Sequence, residues 1–143
     1  MHCRKMSPSD LESVLRIQNE LAFQNWTIKQ LESECSSPLS IALVLILNEQ
    51  VIGYLFIKVI GDEAELLSIA IKSDYSRRGA GSFLWREGVS SLKEKNVRSV
   101  FLEVRENNIT AQQFYKKHGF ICCGLRKRYY SDGENALLFR FDF

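Results

Sequence analysis

Hydrophobic positions near the start of the chain predict a short strand and then a helix. Residues 2–6 fit the strand. Ser9 and Glu12 have the spacing of a capping box, with Pro8 just before it. Apolar residues then recur at helical spacing, so we expect a helix that ends near Gln24: Leu11, Val14, Leu15, Leu21 and Ala22.

A second capping box predicts a second, shorter helix. Thr27 and Gln30 repeat the spacing, which favours a helix over about 27–35, with Trp26 in the joint between the two helices. Pro38 ends it, because proline cannot continue a helix.

The pattern then becomes strand-like. Apolar residues dominate 41–47, 51–60 and 64–71, with turns expected at 48–50 and 61–62. Connections this short join antiparallel neighbours, so these segments predict an antiparallel meander.

The last third of the chain alternates helices and strands. Glycines at 79 and 81 open a helix that runs to about Lys95, and a strand is expected over 97–104. Asn107 or Asn108 can cap the next helix, which Gly119 stops. Two strands finish the chain, over 120–126 and 136–142. The strand–helix–strand unit between 64 and 104 requires a right-handed parallel crossover, so we expect a mixed α/β sheet of six or seven strands with four helices.

Composition indicates a single domain covering residues 1–143. Hydrophobic residues make up 45% of the chain and charged residues 25%, which is typical of a globular protein with a core. The net charge of +2 is too small to favour nucleic acid or an anionic membrane as the main partner. The longest apolar run, 41–47, is too short to span a membrane, and no apolar segment after residues 1–5 suggests a secretory signal.

The cysteines and histidines do not suggest a metal site. Cys3, Cys35, Cys122 and Cys123 form no C-x-x-C pair, and neither histidine lies at metal-ligand spacing from them. We therefore expect free thiols, no metal and a cytoplasmic location.

A glycine-containing loop is the first candidate for chemistry. The stretch Ser76-Arg77-Arg78-Gly79-Ala80-Gly81 lies between a strand and a helix. Helix N-termini present free N–H groups, and glycines let an anion approach them closely, so the loop fits a pyrophosphate. A solvated turn is the alternative interpretation.

A carboxylate and a phenol form the second candidate. Glu103 lies near the end of a predicted strand, on the face opposite Val100, Leu102 and Val104. Tyr115 lies in the next helix and can reach the same opening. Taken singly, each has an ordinary structural explanation, as a solvated carboxylate and a packing residue.

Together these motifs resemble the GCN5-related N-acetyltransferase (GNAT) superfamily. The loop is similar to its [QR]-x-x-G-x-[GA] motif, with Ser76 where Gln or Arg is usual. Within the superfamily, L-E-V-R from Leu102, N-N from Asn107, F-Y-K-K-H-G-F from Phe114 and R-K-R-Y-Y-S-D-G-E-N-A from Arg126 resemble the ribosomal-protein-alanine N-acetyltransferases (RimI type). The resemblance covers nearly the whole chain and implies a GNAT fold whose sheet splays at an acetyl-CoA cleft.

The resemblance also implies roles for individual residues. Glu103 takes the general-base position and Tyr115 the general-acid position. The acetyl-CoA contacts map onto two segments and one cap: Ile69, Ala70 and Ile71; Arg77, Arg78, Gly79, Ala80, Gly81 and Ser82; and Asn108. Aromatic residues are placed along the acceptor groove: Phe23, Trp26, Tyr129 and Tyr130. For Trp26 the alternative is a packing role between the first two helices.

The implied activity is acetylation of a protein N-terminus, namely the N-terminal alanine of a small-subunit ribosomal protein, by a monomer or weak dimer. At pH 7 an α-amine is neutral ~350-fold more often than a lysine amine, which favours the α-amine. A lysine or small-molecule acceptor, and a non-catalytic acyl-CoA-binding module, remain open alternatives.

Overall fold

The computed structural model describes residues 1–21 and 25–143. Four helices and seven strands are described in these ranges. The helices are α1 (Leu11–Leu21), α2 (Ile28–Ser36), α3 (Ala80–Glu94) and α4 (Ile109–Lys117). The strands are β1 (His2–Lys5), β2 (Ser40–Leu47), β3 (Gln50–Ile60), β4 (Glu63–Ile71), β5 (Ser99–Arg105), β6 (Ile121–Arg126) and β7 (Ala136–Asp142). Short 3-10 turns precede α1 and follow β4, at Pro8–Asp10 and Ser73–Tyr75.

The strands form one mixed sheet in the order β1-β2-β3-β4-β5-β7-β6. Strands β1 to β4 are antiparallel neighbours, β4 and β5 are parallel, and β7 is antiparallel to both β5 and β6. The predicted meander, the parallel crossover and the mixed sheet are confirmed.

The sheet divides between its two parallel strands. In the described chain β4 pairs with β5 only from Glu63 to Glu65, opposite Ser99 to Phe101. Beyond Glu65, β4 continues to Ile71 alongside β3, while β5 continues to Arg105 alongside β7. The two strands therefore separate towards their carboxyl ends, which is the splay that the family resemblance implied.

Helices cover both faces of the sheet. On one face α1 and α2 pack on the β1–β4 half through buried residues that include Leu11, Val14, Leu31, Tyr54 and Phe56. On the other face α3 packs on β3, β2 and β4, in a buried cluster that also contains residues of β5 and includes Leu84, Trp85, Leu92, Val100 and Leu102. Gly88 permits this approach, since a Cβ there would lie 2.6 Å from Leu55 Cδ2.

The first capping box is two residues earlier than predicted. The prediction of Ser9 and Glu12 is wrong: Ser7 is the N-cap, Pro8 takes the first position, and Asp10 Oδ2 accepts from the Ser7 N–H at 2.8 Å. Arg4 donates to both Asp10 oxygens at 2.7 and 2.8 Å, which holds the pKa of that carboxyl below its usual range. Asp10 is thus fixed by two partners.

Other boundaries lie close to the predictions. The second capping box is confirmed, with Thr27 accepting from the Gln30 N–H. The strand predicted from residue 97 begins at Ser99, because the Val97 N–H still bonds the Leu92 carbonyl at the end of α3. The expected end of the first helix near Gln24 lies outside the described residues. None of the described helices is both long and apolar enough to cross a membrane.

Candidate active site

Glu103 projects beside the opening between β4 and β5. The buried residues Val100, Leu102 and Val104 alternate with it and face α3. Its carboxylate therefore emerges on the opposite face, as predicted, into a cleft of about 370 Å³ that Glu65, Phe101, Arg126 and Leu138 also line.

The Glu103 carboxylate has two polar neighbours from the far end of the chain. Arg126 Nε lies 3.6 Å from Oε1, and the Glu103 side chain is 24% exposed. A hydrogen bond with Glu103 raises the pKa of the Tyr129 phenol, and the Arg126 guanidinium lies 5.5 Å from the Tyr129 ring centroid. Desolvation, and then the charge of Glu103, raise the pKa of Glu65. The cleft thus holds the Glu65 and Glu103 carboxylates, with the Arg126 guanidinium beside Glu103.

Tyr115 approaches the opening from the α4 side of the sheet. Its ring contacts Phe120 and Phe139, with centroids 5.6 and 6.3 Å away. Desolvation, and to a smaller extent Tyr130, raise the pKa of Tyr115 to about 12. Desolvation raises the pKa of Tyr130; the charge of Arg105 lowers it, and the charge of Glu103 raises it further. Tyr130 is therefore electrostatically linked to both candidate catalytic groups.

The predicted pyrophosphate loop leads into α3 through left-handed backbone. Arg77 has φ of 59°, and Gly79, the N-cap of α3, has φ of 81°. Ser76 closes the preceding turn, because its hydroxyl donates to the Ser73 carbonyl at 2.8 Å. The first-turn amides of α3 follow directly at Ala80, Gly81 and Ser82, so the segment has the donor arrangement that an anion requires.

The start of α3 packs closely on α4. A Cβ on Gly81 would lie 3.0 Å from Phe114 Cε1. Ser82 Oγ lies 2.9 Å from His118 Nε2. Desolvation and the nearby Lys117 lower the pKa of His118, which favours the neutral imidazole. Residues 81 and 82 therefore have structural partners as well as the predicted cofactor role.

The end of β4 forms the other wall of the opening. Ile69, Ala70 and Ile71 pair with β3 and lie beyond the stretch that pairs with β5. The β3–β4 register shifts by one residue here. Leu66 is opposite Ile57 and Ser68 is opposite Phe56, so Leu67 is the extra residue of β4. A strand edge beside a helix N-terminus fits the amide-containing arm and the pyrophosphate of acetyl-CoA.

Asn108 is the N-cap of α4. Its Oδ1 accepts from the Ala111 N–H at 3.1 Å. The side-chain oxygen of Asn108 therefore caps α4, and its side-chain amide nitrogen is the atom that would donate to a ligand.

The predicted groove aromatics lie in separate places. Phe23 lies outside the described residues. Trp26 packs on Phe56 with a centroid distance of 5.3 Å, and its carbonyl accepts from Gln18 at 2.8 Å. Tyr129 and Tyr130 contact each other at 5.1 Å next to Glu103. The structure thus brings Glu103, Tyr115, Tyr129 and Tyr130 into one neighbourhood, while Trp26 joins α1, α2 and the sheet.

Two arginines at this site were not predicted from the sequence. Neither Arg126 nor Arg105 has a role of its own in the sequence analysis, although Arg126 begins the R-K-R-Y-Y motif and Arg105 ends the L-E-V-R motif. Arg105 contacts Asp132, Glu134 and Tyr130. These partners lie more than twenty residues away, so local spacing contained no signal for the contacts.

Comparisons with known proteins agree with this fold. A model of the acetyltransferase (GNAT) family matches residues 11–120. A [ribosomal protein bS18]-alanine N-acetyltransferase of Haemophilus influenzae is 36% identical over 133 residues, covering 90% of each chain. The crystal structure of the ribosomal-protein-S18-alanine N-acetyltransferase from Escherichia coli matches with a TM-score of 0.90 and 27% identity, over 99% of this chain and 92% of that one. Ard1 from Thermoplasma volcanium matches with a TM-score of 0.93 and 32% identity, over 99% and 96%.

Proposed function

Because this chain belongs to the acetyltransferase (GNAT) family and is an N-acetyltransferase, we propose that it acetylates the N-terminal alanine of ribosomal protein S18, with acetyl-CoA as donor. The observation that carries this proposal is the match, over nine-tenths of both chains, to a relative named [ribosomal protein bS18]-alanine N-acetyltransferase. A cytoplasmic location is part of this proposal, because the proposed acceptor is a ribosomal protein.

Acetyl-CoA would lie along the opening on the α3 side of the sheet. The first-turn amides of α3 and the Arg77 and Arg78 side chains would hold the pyrophosphate. The backbone at 69–71 would pair with the pantetheine arm, and an N–H of this strand would stabilise the oxyanion of the attacked thioester.

Glu103 would act as the general base. Its position at the mouth of the opening lets it accept a proton from the α-ammonium group, directly or through a water, which leaves the neutral amine for attack. Arg126 must then give way at the carboxylate to the incoming cation. The side chain of Arg126 is 56% exposed, so its displacement into solvent is geometrically simple.

Tyr115 would act on the departing sulfur. With a pKa raised to about 12, the phenol keeps its proton at every physiological pH and is a hydrogen-bond donor. A thiol has a pKa of roughly 8.5, well below that of this phenol. Complete proton transfer from the phenol to the thiolate is therefore unfavourable in free energy. The proposed role is therefore to stabilise the developing thiolate by donating a hydrogen bond, with proton transfer following as the product leaves.

A peptide panel tests the proposal. The protein is incubated with acetyl-CoA and the S18 N-terminal peptide, an α-blocked copy that contains lysine, and simple amines, and release of CoA is followed. We expect turnover only with the free N-terminal alanine. Turnover of only the blocked lysine peptide or a small amine would reject the N-terminal alanine as the acceptor. CoA binding without turnover of any acceptor would favour a non-catalytic acyl-CoA-binding module.

A further inference from the structure

Arg105 lies at the end of β5, two residues after Glu103, and its guanidinium is directed at the loop between β6 and β7 (residues 127–135, the β6–β7 loop). Nη1 lies 2.8 Å from both Glu134 Oε1 and Asp132 Oδ2. The same guanidinium lies 4.0 Å from the Tyr130 ring centroid. One side chain therefore contacts three residues of this loop.

The contacts differ in strength because burial differs. The Glu134 side chain is 16% exposed and the Asp132 side chain 60% exposed. An exposed ion pair contributes little, so Glu134 is the main anchor. Glu134 Oε2 also accepts from the Asn107 N–H at 2.9 Å, which extends the attachment to the segment before α4.

The loop itself has an ordered hydrogen-bonded shape. The Arg128 N–H donates to Asn135 Oδ1 at 2.9 Å, and the Tyr130 N–H donates to the Glu134 carbonyl at 3.2 Å. The Gly133 N–H closes a turn on the Tyr130 carbonyl at 2.9 Å. The backbone on both sides of Tyr130 is thus fixed, and Arg105 fixes the face of its ring.

We propose that Arg105 is a positioning residue for the acceptor peptide: it docks the β6–β7 loop on the end of β5 and holds the Tyr130 ring beside Glu103 and Tyr115. The inference rests on the proposed function, because it assigns Tyr130 to the acceptor side of the cleft. A planar guanidinium suits this task, since it can pair with carboxylates at its edge while its face stacks on an aromatic ring.

The test is a set of variants assayed with acetyl-CoA and the S18 N-terminal peptide. Arg105→Met removes the charge and keeps the length. We expect the peptide KM to rise about tenfold or more, while the KM for acetyl-CoA stays within about twofold of wild type. Arg105→Lys keeps an ion pair but not the planar stack, so its peptide KM should fall between those of wild type and Arg105→Met.

Arg140→Met is the matched control. Arg140 also combines an ion pair, with Asp142 at 2.8 Å, and a guanidinium over an aromatic ring, Phe101 at 5.2 Å. It belongs to β7 and contacts the beginning of β5, away from the β6–β7 loop. Its substitution should leave both KM values within about twofold of wild type. A rise in peptide KM as large as that of Arg105→Met would overturn the proposal.

A double-mutant comparison separates positioning from general stability. In a Tyr130→Ala background, Arg105→Met should no longer change the peptide KM, because the ring that it positions is gone. An undiminished effect in that background would contradict the inference. So would equal increases in both KM values for Arg105→Met alone.

Amide hydrogen exchange gives a readout that does not need turnover. Arg105→Met should accelerate exchange at Tyr130 and Gly133, whose N–H groups close the loop, and leave the Leu102 and Val104 amides in β5 protected. If wild type shows no peptide turnover but exchange accelerates as expected, the proposed acceptor fails and the docking role of Arg105 stands. Unchanged exchange in the loop would overturn the docking role whatever the acceptor is.

Discussion

Glu103 shows how the alternation of a strand places one carboxylate in the candidate site. The alternation of side chains along β5 sends Val100, Leu102 and Val104 into the core and Glu103 to the cleft. The nearby Arg126, 3.6 Å away, supplies a cation in the free protein. A substrate ammonium would occupy the same electrostatic environment. The strongest mutational effects are therefore expected at the Glu103 and Tyr115 side chains.

Glu103→Gln should lower kcat/KM for the peptide by about 10²–10⁴-fold, because the amide cannot accept the proton. The loss should be greatest at low pH, where little of the α-amine is neutral. The measurement is a pH series of initial rates, with the exposed Glu94→Gln at the end of α3 as control. A wild-type rate at pH 6–7, with chemistry limiting turnover, would remove Glu103 from the mechanism.

Tyr115→Phe should lower kcat by a similar factor at each pH between 7 and 10. The raised pKa of about 12 means that the phenol stays protonated across this range, so its own ionisation cannot shape the profile. The dependence of kcat on pH between 7 and 10 should therefore have the same shape in the variant as in wild type. A variant profile whose loss disappears between pH 9 and 10 would indicate that Tyr115 titrates there during turnover.

The same raised pKa predicts an effect on stability. The folded protein keeps the Tyr115 proton to a higher pH than the unfolded chain, whose tyrosines titrate near 10. The contribution of this pKa difference to the free energy of unfolding is fully present below pH 10 and is lost as the pH rises from about 10 to 12. Denaturant unfolding in this range should show a shallower decline for Tyr115→Phe than for wild type. Equal slopes would contradict the burial of this phenol.

At the scale of elements, the start of α3 and the start of α4 are the two helix ends assigned to acetyl-CoA in the proposed function. The helix starts were partly readable from local residues: Asn108 was predicted as one of two possible caps, and Gly79 was expected to open α3. The first capping box was misplaced because Ser7–Asp10 and Ser9–Glu12 both fit the spacing, and Arg4, on a different element, favours Asp10. Local spacing therefore located the helices better than their caps.

Gly79→Ala and Gly79→Asn separate backbone conformation from anion binding. The φ of 81° at Gly79 is costly for Ala, by about 1–2 kcal/mol, and less so for Asn. A Cβ at this position meets nothing within 4 Å in the protein. We expect Asn to unfold at a higher temperature than Ala, and both to raise the KM for acetyl-CoA because either side chain crowds the cradle. Wild-type KM values in both variants would reject the anion site.

Asn108→Ala and Asn108→Asp separate capping from ligand contact. Alanine loses the bond to the Ala111 N–H and should cost about 1 kcal/mol of stability. Aspartate keeps an acceptor at the cap but lacks the amide donor. We expect both variants to raise the KM for acetyl-CoA and only Asn108→Ala to lower the melting temperature. An aspartate variant with unchanged KM would leave Asn108 with the capping role alone.

For the whole molecule, the feature that creates the site is the separation of β4 from β5. The order of elements and the parallel crossover followed from apolar periodicity and connection length, and the splay followed from resemblance. The extent of the β4–β5 pairing, which stops after Glu65, did not follow from either, because it depends on strand register. The contacts of Arg105 and Arg126 likewise depend on how β6, β7 and their loop dock on β5. The strand register and the docking of the β6–β7 loop on β5 are therefore the features of the site that only the structure could establish.

The most direct test of the whole account is tandem mass spectrometry of the S18 N-terminal peptide after incubation with the protein and acetyl-CoA. The account predicts a single added acetyl group on the α-nitrogen of the N-terminal alanine, strongly reduced for Glu103→Gln. An acetyl group found only on a lysine side chain, or no modification while the protein acetylates another amine, would contradict it.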